Sequence, residues 1–202
     1  MLECPFVTIR FLNTTKYPDF IQDLYEYRWK AIIIEEVLQE VEKVFYFDSS
    51  IVFKQDSAES LQDIFNKMDT KFLKCGIREF DGTIHSIFSA THPDMLKRFN
   101  FSVEIAKSNT MHGATLLVAS RNASSKIIQE WKECAMEKEC MAPEGSHRAC
   151  DIPKLYKNEY GNCHRYDQSV ISLLLYKCSQ NANDYVQSSP LISYERLGSP
   201  PP

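Results

Sequence analysis

Two rhythms of apolar and polar positions run along this chain. From about Leu24 to Lys43, Trp29, Ile33, Val37 and Val41 recur every four residues with Ile34 and Leu38 beside them, which predicts a helix with a broad apolar face. The rhythm returns in Leu61, Ile64, Phe65 and Met68, behind Asp56 and Glu59 at capping-box spacing. It returns again in Ile127, Ile128, Trp131 and Ala135, behind a cap at Ser120 to Asn122. Arg165 to Lys177 is apolar nearly all round and predicts a helix buried on most sides. Compact apolar runs lie between: Phe6 to Phe11, Phe45 to Phe53 and Met111 to Ala119, each predicting a strand, the second central and parallel. Phe72 to Phe99 is broken by Gly76, Gly82 and Pro93 and predicts a strand or hairpin, then a short helix at Asp94 to Phe99.

Strands separated by amphipathic helices imply right-handed βαβ units, hence an α/β fold with a mostly parallel sheet flanked by helices. In such a sheet the ligand lies beyond the carboxyl ends of the strands. That rule singles out Asp48-Ser49-Ser50 and Tyr166-Asp167-Gln168. The expected domain covers residues 1–180, with a cysteine-rich loop at 134–163. Past Asn181 the chain turns polar and ends in Pro200-Pro201-Pro202, so 181–202 is expected to be a disordered tail.

With 202 residues, 44% of them apolar, the chain can bury one good core. The net charge of -4 and scattered basic residues give no footprint for nucleic acid. No stretch reaches the roughly 20 apolar residues that span a bilayer, and Met1 to Arg10 does not read as a secretory leader. Yet four of seven cysteines (Cys134, Cys140, Cys150, Cys163) share one polar stretch, none at C-x-x-C spacing, which favours disulfides over zinc. Sequons at Asn13, Asn100 and Asn122 agree with an oxidising, secretory compartment. The odd cysteine count leaves one thiol over. Secretory features without a leader lead us to expect a core incomplete at its N-terminus, with a membrane anchor in the missing part.

Asp48 is the only charge between Phe45 and Phe53, and a carboxylate in such surroundings needs a partner. A turn-forming Asp is the plain structural reading, and a metal or nucleotide ligand the functional one. Arg28 and Lys30 open a helix whose later half carries Glu35, Glu36 and Glu40, so both ends oppose the macrodipole. Cations so placed suit an anion such as a diphosphate. Asp167 is equally a favourable acid at a helix start. His112, His147 and His164 read as structural or surface histidines before metal ligands. There is no glycine-rich phosphate loop, dinucleotide fingerprint or G-x-S-x-G elbow.

Tyr46-Phe47-Asp48-Ser49-Ser50-Ile51 resembles the Asp-x-Asp strand end of GT-A-type glycosyltransferases, with Ser50 in place of the second acid. Met111-His112-Gly113-Ala114-Thr115 is similar to the Asn-Ala-Gly segment of family 8-like members, and Tyr166-Asp167-Gln168-Ser169 to their Asp-Gln motif. Tyr27-Arg28-Trp29-Lys30, Cys140-Met141-Ala142-Pro143 and Cys163-His164-Arg165 extend the likeness to nematode glycosyltransferase-like proteins, over roughly Val7 to Leu175. The family's late His-x-x-Gly-x-x-Lys motif is missing. The resemblance implies a nucleotide-sugar donor, a Mn2+ or Mg2+ ion on Asp48 and Ser50, phosphate contacts from Arg28, Lys30 and Gly113, and Asp167 and Gln168 as catalytic residues at the sugar. It implies transfer to a glycan, lipid or protein acceptor in the Golgi. The alternatives are a catalytically silent lumenal binding module on the same scaffold, and a disulfide-stabilised secreted domain without sugar chemistry.

Overall fold

The computed structural model describes residues 6–80 and 82–194. Cys4 and the proline-ending stretch past Tyr194 lie outside the described residues. Three short 3-10 turns, Thr14–Lys16, Asp19–Gln22 and Leu24–Glu26, lead into helix α1, Arg28–Glu40. Strands β1 (Lys43–Phe47) and β2 (Ile51–Phe53) flank a turn, and α2 (Leu61–Met68) follows. Next come β3 (Ile77–Glu79), β4 (Gly82–Ser86), α3 (Pro93–Arg98) and α4 (Val103–Ser108). Strands β5 (Thr110–His112) and β6 (Leu116–Ser120) precede the long α5 (Arg121–Met136). The cysteine-rich loop holds α6 (Lys138–Met141) and α7 (Ile152–Tyr156), and α8 (Tyr166–Cys178) and β7 (Ile192–Tyr194) come after it.

The expected α/β class is what the chain builds, but the expected parallel sheet is not. Strand β6 is the centre of a sheet ordered β1-β6-β3, while β2 pairs with β7 and β4 with β5. All these pairings are antiparallel, and the parallel pairing found among the described residues is a single bridge from Glu79 to Val186. An apolar run reports burial on two faces, not the direction of its neighbours. Leu117 and Ala119 enter a core with α1, α5 and α8 around Trp131, whereas Leu116 and Val118 enter a second core with α2. In that second core Phe45 stacks on Phe80 at 5.4 Å and meets Phe53 edge-on at 5.9 Å.

Helices follow the sequence pattern best. Ile127, Ile128, Trp131 and Ala135 are the buried face of α5, and nine of the 13 residues of α8 are buried. The capping box of α2 is real but belongs to Ser60 and Asp63, with Ser60 Oγ accepting from Asp63 N at 3.1 Å. Glu59 faces inward, bonded by Arg78 at 3.1 Å, with Lys67 beside it. Burial alone would raise the Glu59 carboxyl, but Arg78 and Lys67 hold it down to about 2.

Four expectations need correction. Phe6 to Phe11 forms no strand, and Phe6 and Phe11 are 94% and 91% exposed because no neighbouring strand covers them. Helix α1 starts only at Arg28, and its innermost face is Ala31, Ile34 and Leu38, with the Trp29, Ile33, Val37 stripe half-buried. The run Phe45 to Phe53 is two strands broken by a turn at 48–50. The described residues past Asn181 pack back on the domain, with Tyr185, Leu191 and Ile192 buried and β7 paired with β2.

The six described cysteines form the disulfides Cys75–Cys178, Cys134–Cys140 and Cys150–Cys163, which fit an extracellular or lumenal environment. No helix among the described residues is long and apolar enough to cross a membrane. The Cys75–Cys178 bridge closes the longest loop, 103 residues, and chain-entropy reasoning assigns it about 4–5 kcal/mol. Replacing both cysteines by serine is expected to lower the unfolding free energy by that order in urea titration; a loss below about 1 kcal/mol would contradict the loop-closure account.

Candidate functional site

Four segments distant in sequence meet at one ammonium group. Lys30, in the first turn of α1 and 3% exposed, places Nζ 3.3 Å from Asp48 Oδ2 and 3.2 Å from Asp167 Oδ2, and donates to the Ala114 carbonyl at 3.1 Å. The rings of Tyr27, Tyr46 and Trp29 surround that ammonium at 5.1, 5.6 and 5.9 Å. The antiparallel register sets Phe47 opposite Leu116, so Asp48 falls just past the sheet, with its N–H on the Thr115 carbonyl at 2.8 Å. Its Oδ1 accepts from Tyr46 Oη at 2.5 Å. Asp167 comes from the first turn of α8, and its neighbour Gln168 donates Nε2 to the Gly113 carbonyl at 2.6 Å. Thus Lys30, Asp48, Gly113, Asp167 and Gln168 are brought together.

Lys30, Asp48, Asp167 and Gln168 border a small cleft of about 110 Å³ that Tyr27, Thr115, Arg148 and Arg165 also line, and Gly113 lies on the neighbouring cavity. Through Thr115, Arg165 and Gln168 the cleft adjoins that larger cavity of about 580 Å³, with His85 and Tyr156 on its wall. On the other side Tyr27 borders an apolar groove of about 1160 Å³, formed by Trp29, Ile33, Val37 and the segment around Phe11. Backbone strain gathers at the same place. Of the six non-glycine residues with positive φ among the described residues, three are asparagines, which tolerate it. The others are Tyr27 at 55°, Ala114 at 47° and Tyr166 at 35°: two line the cleft, and the third supplies the Lys30 carbonyl. Non-glycine residues in that region cost about 1–3 kcal/mol each and gather at functional sites.

Burial raises the Asp167 carboxyl to about 6, although Lys30 pulls it down. Burial would lower Lys30, but Asp167 and Asp48 lift it above the ordinary lysine value. Tyr46 is driven up by burial and then by its bond to Asp48, so it stays a donor. The cleft therefore holds a charged lysine, one solvent-touching carboxylate and one buried carboxyl that exchanges its proton just below neutrality.

Arg28 and Ser50 are not part of this arrangement. Arg28 is fully buried, with its guanidinium on the carbonyls of Ala135 (2.8 Å), Glu137 (3.1 Å) and Lys138 (2.8 Å), where it ties the end of α5 to the start of α6. Glu26 pairs with its Nε, and the Phe20 ring lies 4.8 Å away. Expected as a phosphate ligand, it is a structural clamp. The acidic half of α1 is compensated likewise, with Glu35 on Lys132 at 2.7 Å and Glu40 on Arg10 at 2.6 Å. Ser50 lies in the turn after β1 and does not line the cleft that Asp48 lines. Nor do the residues fit the expected Mn2+ or Mg2+: Lys30 occupies the position between the carboxylates, and no group of three or more His, Cys, Asp or Glu gathers for a metal among the described residues.

His112 and His164 are buried in the fold rather than placed as ligands. His164 is buried, accepts from His92 N at 3.1 Å through Nδ1 and contacts the Met141 carbonyl at 3.0 Å through Nε2. Burial lowers His164 to about 3 and His112 to about 4, so both are neutral. Tyr27, Tyr46, Thr115, Arg148 and Arg165 were not singled out by sequence reasoning. Tyr27, Tyr46 and Arg165 stand inside motifs that carry the family resemblance, and adjacency to Lys30, Asp48 and Asp167 is the signal that could have found them. Arg148 had none, because the cysteine-rich loop alone delivers it. No family model, curated protein or solved structure matches this chain.

Replacing Arg28 with Met should cost about 3–5 kcal/mol of stability, measured by chemical denaturation, because it removes the buried partner of Glu26 and leaves the Ala135 carbonyl without its donor. The pH dependence of unfolding separates the buried groups. Asp167, raised from 3.8 to about 6, keeps its proton in the native state while the unfolded chain has lost it, so it makes stability fall as pH rises through that window. His112 and His164, lowered from 6.5, act oppositely and make stability rise with pH up to about 6.5. Asp167→Asn is therefore expected to steepen the gain in stability between about pH 4 and 6, and an unchanged slope would contradict the buried, proton-holding Asp167.

Proposed function

We propose that this cleft binds a nucleotide-activated sugar, and that the protein is a glycosyltransferase-like enzyme of the secretory pathway that passes the sugar to a glycan, lipid or protein acceptor. The observation that carries this reading is the convergence of the Asp48 turn, the Gly113–Thr115 segment and the Asp167-Gln168 helix start on Lys30, with backbone strain at the same spot. A transfer needs two substrates side by side, and cavities flank the cleft on both sides. In glycosyl transfer the bond from the sugar to the diphosphate breaks, a bond to the acceptor oxygen forms, and the acceptor proton leaves. Asp167 and Gln168 would face the sugar, with the cations of the cleft at the departing diphosphate. The Golgi lumen suits such chemistry and the disulfides.

One observation favours a second reading. Lys30 already pairs with both carboxylates, which suits a silent lumenal binding module on the same scaffold. Nucleoside diphosphate release from a panel of UDP- and GDP-sugars, measured on the oxidised protein, separates the two. Turnover that Asp48→Ala lowers by roughly 100-fold or more supports the enzyme. Undiminished turnover in that variant would sink the site assignment, and donor binding without turnover would establish the binding module.

A further inference from the structure

We propose that the cleft takes the diphosphate of its ligand on arginine, with Lys30 standing where a divalent ion was expected, so that binding needs no metal. The inference rests on the nucleotide-sugar reading and names how that ligand is held.

Three facts carry it. First, the site between the carboxylates is filled from within: Lys30 Nζ sits 3.3 Å from Asp48 Oδ2 and 3.2 Å from Asp167 Oδ2, and the rings of Tyr27, Trp29 and Tyr46 surround the same ammonium. A second cation there would meet the ammonium head-on. Second, both oxygens of Asp48 are already engaged from within the protein, Oδ1 by the Tyr46 hydroxyl and Oδ2 by Lys30. Third, Arg165 is a cation without a counter-charge. It borders both the small cleft and the larger cavity, makes no salt bridge to a carboxylate among the described residues, and its Nε is buried with no acceptor.

A buried guanidinium N–H without an acceptor is costly, and a phosphate oxygen is the acceptor its planar fork fits best. Arg148, across the same cleft, bonds the Tyr27 hydroxyl at 2.9 Å and lies 4.8 Å over the Tyr25 ring. Three cations (Lys30, Arg148, Arg165) against two carboxylates (Asp48, Asp167) leave a net +1 around the cleft, the sign an anion requires.

Calorimetric titration of the oxidised protein with UDP and with inorganic diphosphate, each in EDTA and in excess Mn2+, tests this. UDP binding that is equal with and without Mn2+, and that Arg165→Gln weakens by roughly 10- to 100-fold with the melting temperature unchanged, is the expected result. Arg165→Lys, which keeps the charge and loses the fork, should fall between the two. UDP binding only with Mn2+ overturns the metal-free site and leaves the nucleotide-sugar reading standing; so does binding that Arg165→Gln does not alter. Inorganic diphosphate bound in EDTA as tightly as UDP keeps the anion site and overturns the nucleotide reading. No binding of either probe overturns both. The metal comparison is made on the wild-type protein, so it does not depend on any variant folding.

Discussion

A lysine ammonium removed from water costs several kcal/mol unless charges and acceptors gather around it, and Lys30 is such a group. Its compensation comes from three places that the fold must deliver together: the residue after β1, the turn between β5 and β6, and the start of α8. Each delivery has its own mechanical cause. The antiparallel register of β1 on β6 stops one residue short of Asp48. Ala114 turns its carbonyl inward from a left-handed backbone, and α8 starts from a strained Tyr166. The ordered cores on both sides of the sheet hold these unfavourable conformations in place: Tyr166 lines the cleft, and Ala114 bonds the lysine at its edge.

Arg28 shows how differently two cations on one helix turn can behave. Positions two apart on an α-helix point about 200° apart, so Arg28 and Lys30 cannot serve one ligand from one face. Lys30 faces the carboxylates, while Arg28 faces the junction of α5 and α6, where the Ala135 carbonyl in the last turn of α5 has no helical partner of its own. The charges of α1 oppose its macrodipole, yet each of these cations, together with Glu35 and Glu40, has an opposite charge from elsewhere in the fold. A broken local rule thus had a structural origin at one residue and a site-forming origin at its neighbour.

The cleft joins unlike environments. On one side the half-buried stripe of α1 lines an apolar groove, and on the other Arg165 and Gln168 lead into a cavity with His85 and Tyr156. The cysteine-rich loop brings Arg148 to this junction, with Cys150–Cys163 bridging the loop to the residues just before α8. Oxidation therefore shapes the site as well as the stability of the fold.

Sequence by itself determined the helices α2, α5 and α8, the oxidised cysteines and the segments that carry Asp48, Gly113 and Asp167. These depend on local periodicity, spacing and composition, which a linear chain displays. Only the tertiary structure decided strand direction, because β6 would be equally apolar in a parallel or an antiparallel sheet buried on both faces. It also decided that residues 181–194 pack back on the domain, since single buried residues such as Tyr185 and Leu191 leave no periodic trace. Above all it decided which cation meets which anion. Arg28 and Lys30 are indistinguishable in the sequence, and their roles follow from the neighbours that packing places around each.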